Sequence, residues 1–196
     1  MNIPFVRQAT EAELASVVNT LTVAFAADPV NRWYLPDSDR YLKYFPKIAE
    51  LLAQPALESG TCFVTEHLEG AALWYPPGVG ADEEALGGQF MQAAPEYLAE
   101  AVGEFMGALA HYHPHDEDCW YLPLMGVDPA HQGKGLGAAL MKHATDLIDR
   151  QGALSYLESS TPQNISLYER HGFESTGQIL FGEANNIATP MVRDRR

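Results

Sequence analysis

Residues 126–140 read GVDPAHQGKGLGAAL, with glycine at 126, 133, 135 and 137 and a lone lysine and glutamine among them. Glycine loses more freedom on folding than any other residue, so clustering it signals close backbone approach or unusual dihedrals. Three loop chemistries use such a cluster. A phosphate loop of nucleotide hydrolases needs a hydroxyl residue after Gly-Lys to hold magnesium. Here Gly135 follows Gly133-Lys134, so that chemistry is excluded. A dinucleotide fingerprint is met in letter by Gly133 to Ala138, with Glu158 further on. But its first glycine should leave the strand directly, and Asp128 to Gln132 intervene. Fewer than sixty residues follow, too few for the second half of a doubly wound sheet. The third chemistry is an anion cradle, in which N–H groups at a helix start and the helix dipole face a phosphate. A ligand-free strand–helix turn is the plain alternative, disfavoured by three alternating glycines after Asp-Pro.

HYHPHDEDC, residues 111–119, offers His111, His113, His115, Asp116 and Cys119 as metal-ligand types. Pro114 and the acidic run read instead as a polar loop, and no second ligand cluster accompanies them. No metal is expected, and contact with a substrate is the better expectation for this loop.

These residues need elements to hold them. Ile3 to Arg7 reads as a strand, and Thr10 with Glu13 forms a capping box for a helix carrying Leu14, Val17, Val18, Leu21 and Phe25. Asp28-Pro29 ends that pattern. Tyr41 to Gln54 is helical, kinked or begun at Pro46. Cys62 to Glu66 and Ala71 to Trp74 make a hairpin. Pro95 to Ala110 is an amphipathic helix, whose Glu96, Glu100 and Glu104 predict a solvated face. Trp120 to Val127 is a strand, Gly135 to Arg150 a helix, and Leu154 to Glu158 a strand. Ile165 to His171 is a short helix, capped by Gly172. Phe173 to Phe181 and Ile187 to Val192 are strands. Antiparallel signals early and a strand–helix–strand unit late predict one α/β (α+β) domain over 1–196 with a mixed sheet.

A net charge of −14 argues against nucleic acid, since phosphate backbones recruit basic surfaces. No apolar run is long enough for a membrane span. Two cysteines at unrelated positions make no disulfide framework, and the N-terminus lacks signal-peptide character, so a cytoplasmic protein is expected.

Gln132-Gly133-Lys134-Gly135-Leu136-Gly137 resembles the Q/R-x-x-G-x-G/A signature of the GNAT superfamily of N-acetyltransferases. WYLPLMGVDPAHQGKGLGAAL and YLESSTPQNISLYERHGF extend the likeness over about fifty residues in the family's order. Within the superfamily these strings look most like puromycin N-acetyltransferase-like small-molecule acetyltransferases. The resemblance implies a mostly antiparallel sheet of about six to seven strands flanked by helices, with parallel strands 4 and 5 splayed apart. It implies acetyl-CoA as acetyl donor and a primary amine of a small molecule as acceptor, attacked directly in a ternary complex. Met125, Gly126 and Val127 would face the pantetheine arm, and the Val127 N–H would polarise the thioester. Gln132, Gly133, Lys134, Gly135, Leu136, Gly137 and Ala138 would hold the pyrophosphate. Asn164 would contact the CoA arm or, as the plain alternative, cap the short helix. Tyr168 would be the general acid toward the departing thiolate. Glu158 is the first candidate base, with His113 and His115 as alternatives. Trp33, Tyr34, Trp74, Tyr75 and Trp120 could form an aromatic wall for the amine. A CoA-binding sensor without turnover is the competing function. Oligomeric state stays open, a homodimer included.

Overall fold

The computed structural model describes residues 4–114 and 119–196. Ile3, His115 and Asp116 of the readings above lie outside the described residues.

The elements run β1 (Val6–Gln8), α1 (Leu14–Ala24), α2 (Pro29–Tyr34), α3 (Ser38–Glu58), β2 (Cys62–Thr65), β3 (Gly70–Tyr75), α4 (Glu83–Ala93), α5 (Ala99–Tyr112), β4 (Cys119–Val127), α6 (Leu136–Gln151), β5 (Leu154–Ser159), α7 (Pro162–Arg170), β6 (Glu174–Ser175), β7 (Ile179–Phe181) and β8 (Asn186–Arg193). Strand order is β1-β2-β3-β4-β5-β8-β6, with β7 also on β8. Every pairing is antiparallel except β4–β5. This is the expected mixed, mostly antiparallel sheet with its parallel pair at strands 4 and 5. One parallel pair is not a doubly wound sheet, so the dinucleotide reading fails on topology.

The described sheet has eight strands rather than six or seven. The stretch 173–181, read as one strand, divides into β6 and β7, which pair with opposite ends of β8. Two short helices escaped the periodicity, α2 and α4. Pro46 lies inside α3, which starts at Ser38 behind the Asp37 cap.

β3 is buried on both faces. Its Ala72 and Trp74 pack with Leu140, Met141 and Ala144 of α6 on one side. Its Ala71, Leu73 and Tyr75 pack with Val17 and Leu21 of α1 and Ala53 and Ala56 of α3 on the other. Helices on both faces thus fix β3 and its neighbour β4, which carries one wall of the site. Glu96, Glu100 and Glu104 are exposed, as a solvated face requires.

Candidate active site

β4 and β5 pair in parallel from Cys119 with Leu154 to Leu122 with Leu157, and then stop. Both strands continue, β4 to Val127 and β5 to Ser159. The next residue of β4 is Pro123, which has no N–H to give a neighbour. Both ladders of β4 change there. Pairing with β5 ends, and the register with β3 shifts between Leu73 and Tyr75. A cavity of about 1060 Å³ opens at the gap. Residues 123–127 are half-buried because they form its wall.

The glycine loop closes one end of this cavity. Gly133 and Gly135 have φ of +74° and +80°, dihedrals that a side chain resists. Gly135 is the N-cap of α6, and the first intrahelical bond runs from Ala139 N to Gly135 O. The N–H groups of Leu136, Gly137 and Ala138 therefore have no intrahelical acceptor. All three residues line the cavity, with Gly133 and Gly135. Here the chain has the donors and the dipole for a diphosphate. Gln132 lines it too, but its side-chain amide donates to Val127 O at 3.1 Å and so braces the loop on β4. Lys134 is exposed, with Nζ 3.4 Å from Ala130 O, and is not part of the lining. Met125, Gly126 and Val127 all line the gap. A Cβ on Gly126 would lie 2.6 Å from Ala24 Cβ, so glycine is what lets α1 lie on β4.

Asn164 lines the cavity but does not cap α7. The N-cap is Thr161, and Pro162 occupies the first turn with Asn164 two residues further in. Proline suits that position because its missing N–H would be unpaired anyway. The Thr-Pro pair was the sequence signal for the true start.

Glu158 and Tyr168 open onto the same cavity. Removal from water pushes the Glu158 carboxyl up to about 7, although a hydrogen bond from Tyr121 and the nearby Tyr156 hydroxyl favour its charged form. The Tyr156 hydroxyl makes no well-aligned hydrogen bond of its own. Glu158 keeps intermediate exposure because one edge faces the cavity space. Tyr168 is buried, and burial with the field of Asp28 pushes its hydroxyl above the ordinary phenol value.

Asp28 was legible only as a helix stop. Its carboxylate caps α2, accepting from Asn31 N at 2.9 Å and Asn31 Nδ2 at 2.8 Å, and also accepts the Ser160 hydroxyl. It lines the cavity and ties α2 to the β5–α7 loop. Burial raises its pKa from the ordinary value.

His113 is not in the lining. Its ring packs 5.0 Å from both Tyr121 and Tyr156, behind the tyrosines that face Glu158. Of the five aromatic residues expected in a wall, Trp33 and Tyr34 line the cavity. Trp74 and Trp120 are fully buried core, and Tyr75 is held by its hydroxyl on Leu52 O at 2.7 Å. Large aromatic side chains are the cheapest filling for a two-faced sheet, which overrides a surface role. Among the described residues no three His, Cys, Asp or Glu side chains converge as a metal site, and no helix is long and apolar enough to cross a membrane.

Comparison with known proteins places this geometry. The model of the Acetyltransferase (GNAT) family matches residues 61–173, more than half of the chain. An uncharacterised N-acetyltransferase of Schizosaccharomyces pombe is 26% identical over 167 residues, covering 79% of this chain and 68% of that protein. The structure of "histone acetyltransferase HPA2 and related acetyltransferase" from Corynebacterium glutamicum superposes with a TM-score of 0.74 at 25% identity, over 100% of this chain and 98% of that one. Arylalkylamine N-acetyltransferase 2 from Aedes aegypti shares the fold, with a TM-score of 0.72 at 13% identity over 98% of this chain and 99% of that one.

Proposed function

The chain belongs to the GNAT acetyltransferase family, whose members take acetyl-CoA as donor, and on that premise we propose that it acetylates the primary amine of a small molecule by direct attack in a ternary complex. One observation carries this reading: Leu136, Gly137 and Ala138, whose amides have no intrahelical acceptor, line one cavity together with Glu158 and Tyr168. Gly133 and Leu136 to Ala138 are the residues to hold the diphosphate, while Met125 to Val127 and Asn164 flank the arm. Acetyl-CoA supplies an activated thioester. The chain supplies position, since fixing both reactants removes the entropy of a bimolecular encounter.

Glu158, poised at about 7, takes the ammonium proton of the acceptor, directly or through water. A base works best with a pKa near the working pH. Tyr168 stays protonated because its pKa is raised, so it stabilises the departing thiolate chiefly as a hydrogen-bond donor. The acceptor enters from the side of α2, α4 and α5, where Trp33, Phe90, Phe105 and Met106 give apolar walls. A compact amine with an apolar body fits such walls. The kinship with puromycin N-acetyltransferase-like enzymes belongs to the same proposal and rests on the sequence strings quoted above, while a cytoplasmic location belongs to it on the sparse cysteines.

The test is release of free CoA thiol against an amine panel, with acetyl-CoA binding followed in parallel. Tyr168→Phe is expected to lower kcat by about 10²-fold or more, with the Kd for acetyl-CoA almost unchanged. An unaltered kcat would remove Tyr168 from the chemistry. Tight acetyl-CoA binding with no thiol release from any amine would make the protein a sensor.

A further inference from the structure

On the side of α2 and α5 the cavity ends at an indole. Trp33 lines it, and also lines a second cavity of about 530 Å³ between α5 and β7. The two cavities share only Trp33 and Phe105 among their lining residues. The wall between them is a triangle of rings. Trp33 meets Phe105 edge-on with centroids 5.4 Å apart and lies 5.4 Å from Phe181, and Phe105 lies 5.3 Å from Phe181. Gly182 closes the edge, where a Cβ would come within 3.2 Å of Trp33 Cδ1. Beyond the wall, Ala108, Tyr112 and Ile179 continue the apolar lining, with Glu104, Gln178 and Asn185 as its polar members. The indole, braced by the two phenylalanines, thus stands where the two cavities meet.

We propose that Trp33 determines the length of acceptor that the enzyme takes. With the indole in place, the first cavity admits an amine with a compact apolar body. The second cavity is the volume that a longer apolar tail occupies once the indole is removed. This rests on the reading that the amine enters between α2 and α5. Phe105 and Phe181 are the braces: both rings pack against the indole where it stands between the two cavities.

The test uses two probes with one head group, hexylamine and decylamine. Their binding is titrated without acetyl-CoA, and thiol release is measured afterwards. In Trp33→Ala the affinity for decylamine relative to hexylamine is expected to rise at least about tenfold over wild type, since even one methylene changes selectivity by that order in a fitted pocket. Trp33→Leu keeps apolar contact with the two phenylalanines and gives an intermediate rise, which preserves the test if the alanine variant fails to fold. An unchanged ratio in a folded variant would overturn the proposal. A raised ratio with thiol release from decylamine supports both the partition and the acceptor reading. A raised ratio with no thiol release from any amine in any variant would leave the partition standing and sink the acceptor reading alone.

Discussion

Glu158 concentrates two consequences in one carboxyl. As the proposed base it must be ionised, so kcat/KM should fall on an acidic limb near pH 7, and Glu158→Gln should lose both the limb and most of the turnover. Its stability effect has the opposite sense. A carboxyl whose folded pKa is raised binds its proton more tightly than the unfolded chain does. Stability is full below the ordinary carboxylate range and is lost as pH rises to about 7. Glu158→Gln cannot ionise, so its melting temperature should exceed that of wild type at pH 8, and the advantage should vanish toward pH 4. Thermal melts at the two pH values check this. The residue was readable in the sequence as a strand-end acid, but its pKa was not. Tyr121 reaches it across a strand pairing that no local pattern reveals, whereas Tyr156 lies two residues earlier on β5 itself. Asp28 and Ser160 are 132 residues apart, and nothing near either residue announces the other.

At the level of elements, α1 rests on β4 only because Gly126 has no side chain. Gly126→Ala should force the helix from the strand, lowering stability by about 1–3 kcal/mol, as overpacking of a close contact does. Urea denaturation measures the loss. The long helices were legible because their apolar residues recur at a helical period, as Leu140, Ala144 and Ile148 do in α6. The six residues of α2 are too few to show a period, and Gly87-Gly88 dilutes that of α4. The glycine loop was legible because its dihedrals demand one residue type. The seam between β4 and β5 had its own signal in Pro123, which marks where a ladder must change.

Over the whole molecule, the C-terminal strand is fastened to the two helices around the site. Arg193 of β8 is 2% exposed. It donates from Nε to His171 O at 2.7 Å and from Nη2 to Asp149 Oδ2 at 2.7 Å, while Nη1 and Oδ1 form an ion pair at 2.7 Å. One guanidinium thereby joins the end of α6, the end of α7 and the sheet. Arg193 is buried but Asp149 is one-third exposed, so water takes up part of the lost partner, and Arg193→Ala should cost about 1–3 kcal/mol at pH 7 in denaturant titration, mainly through the lost hydrogen bonds. The Arg193 guanidinium holds the Asp149 carboxyl below its ordinary value. That contribution is present above the ordinary carboxylate range and fades as pH falls through the lowered pKa. The penalty of the variant should therefore shrink in acid.

Pro123 has a longer consequence. The two strand edges beyond it offer main-chain groups, not side chains, to whatever amide-bearing arm lies between them. Recognition written in the backbone is indifferent to the letters around it. Apart from Pro123 and Gly126, whose types the seam and the helix contact require, side chains along the far half of β4 can change while its main-chain groups stay the same, and the helices opposite are free to diversify.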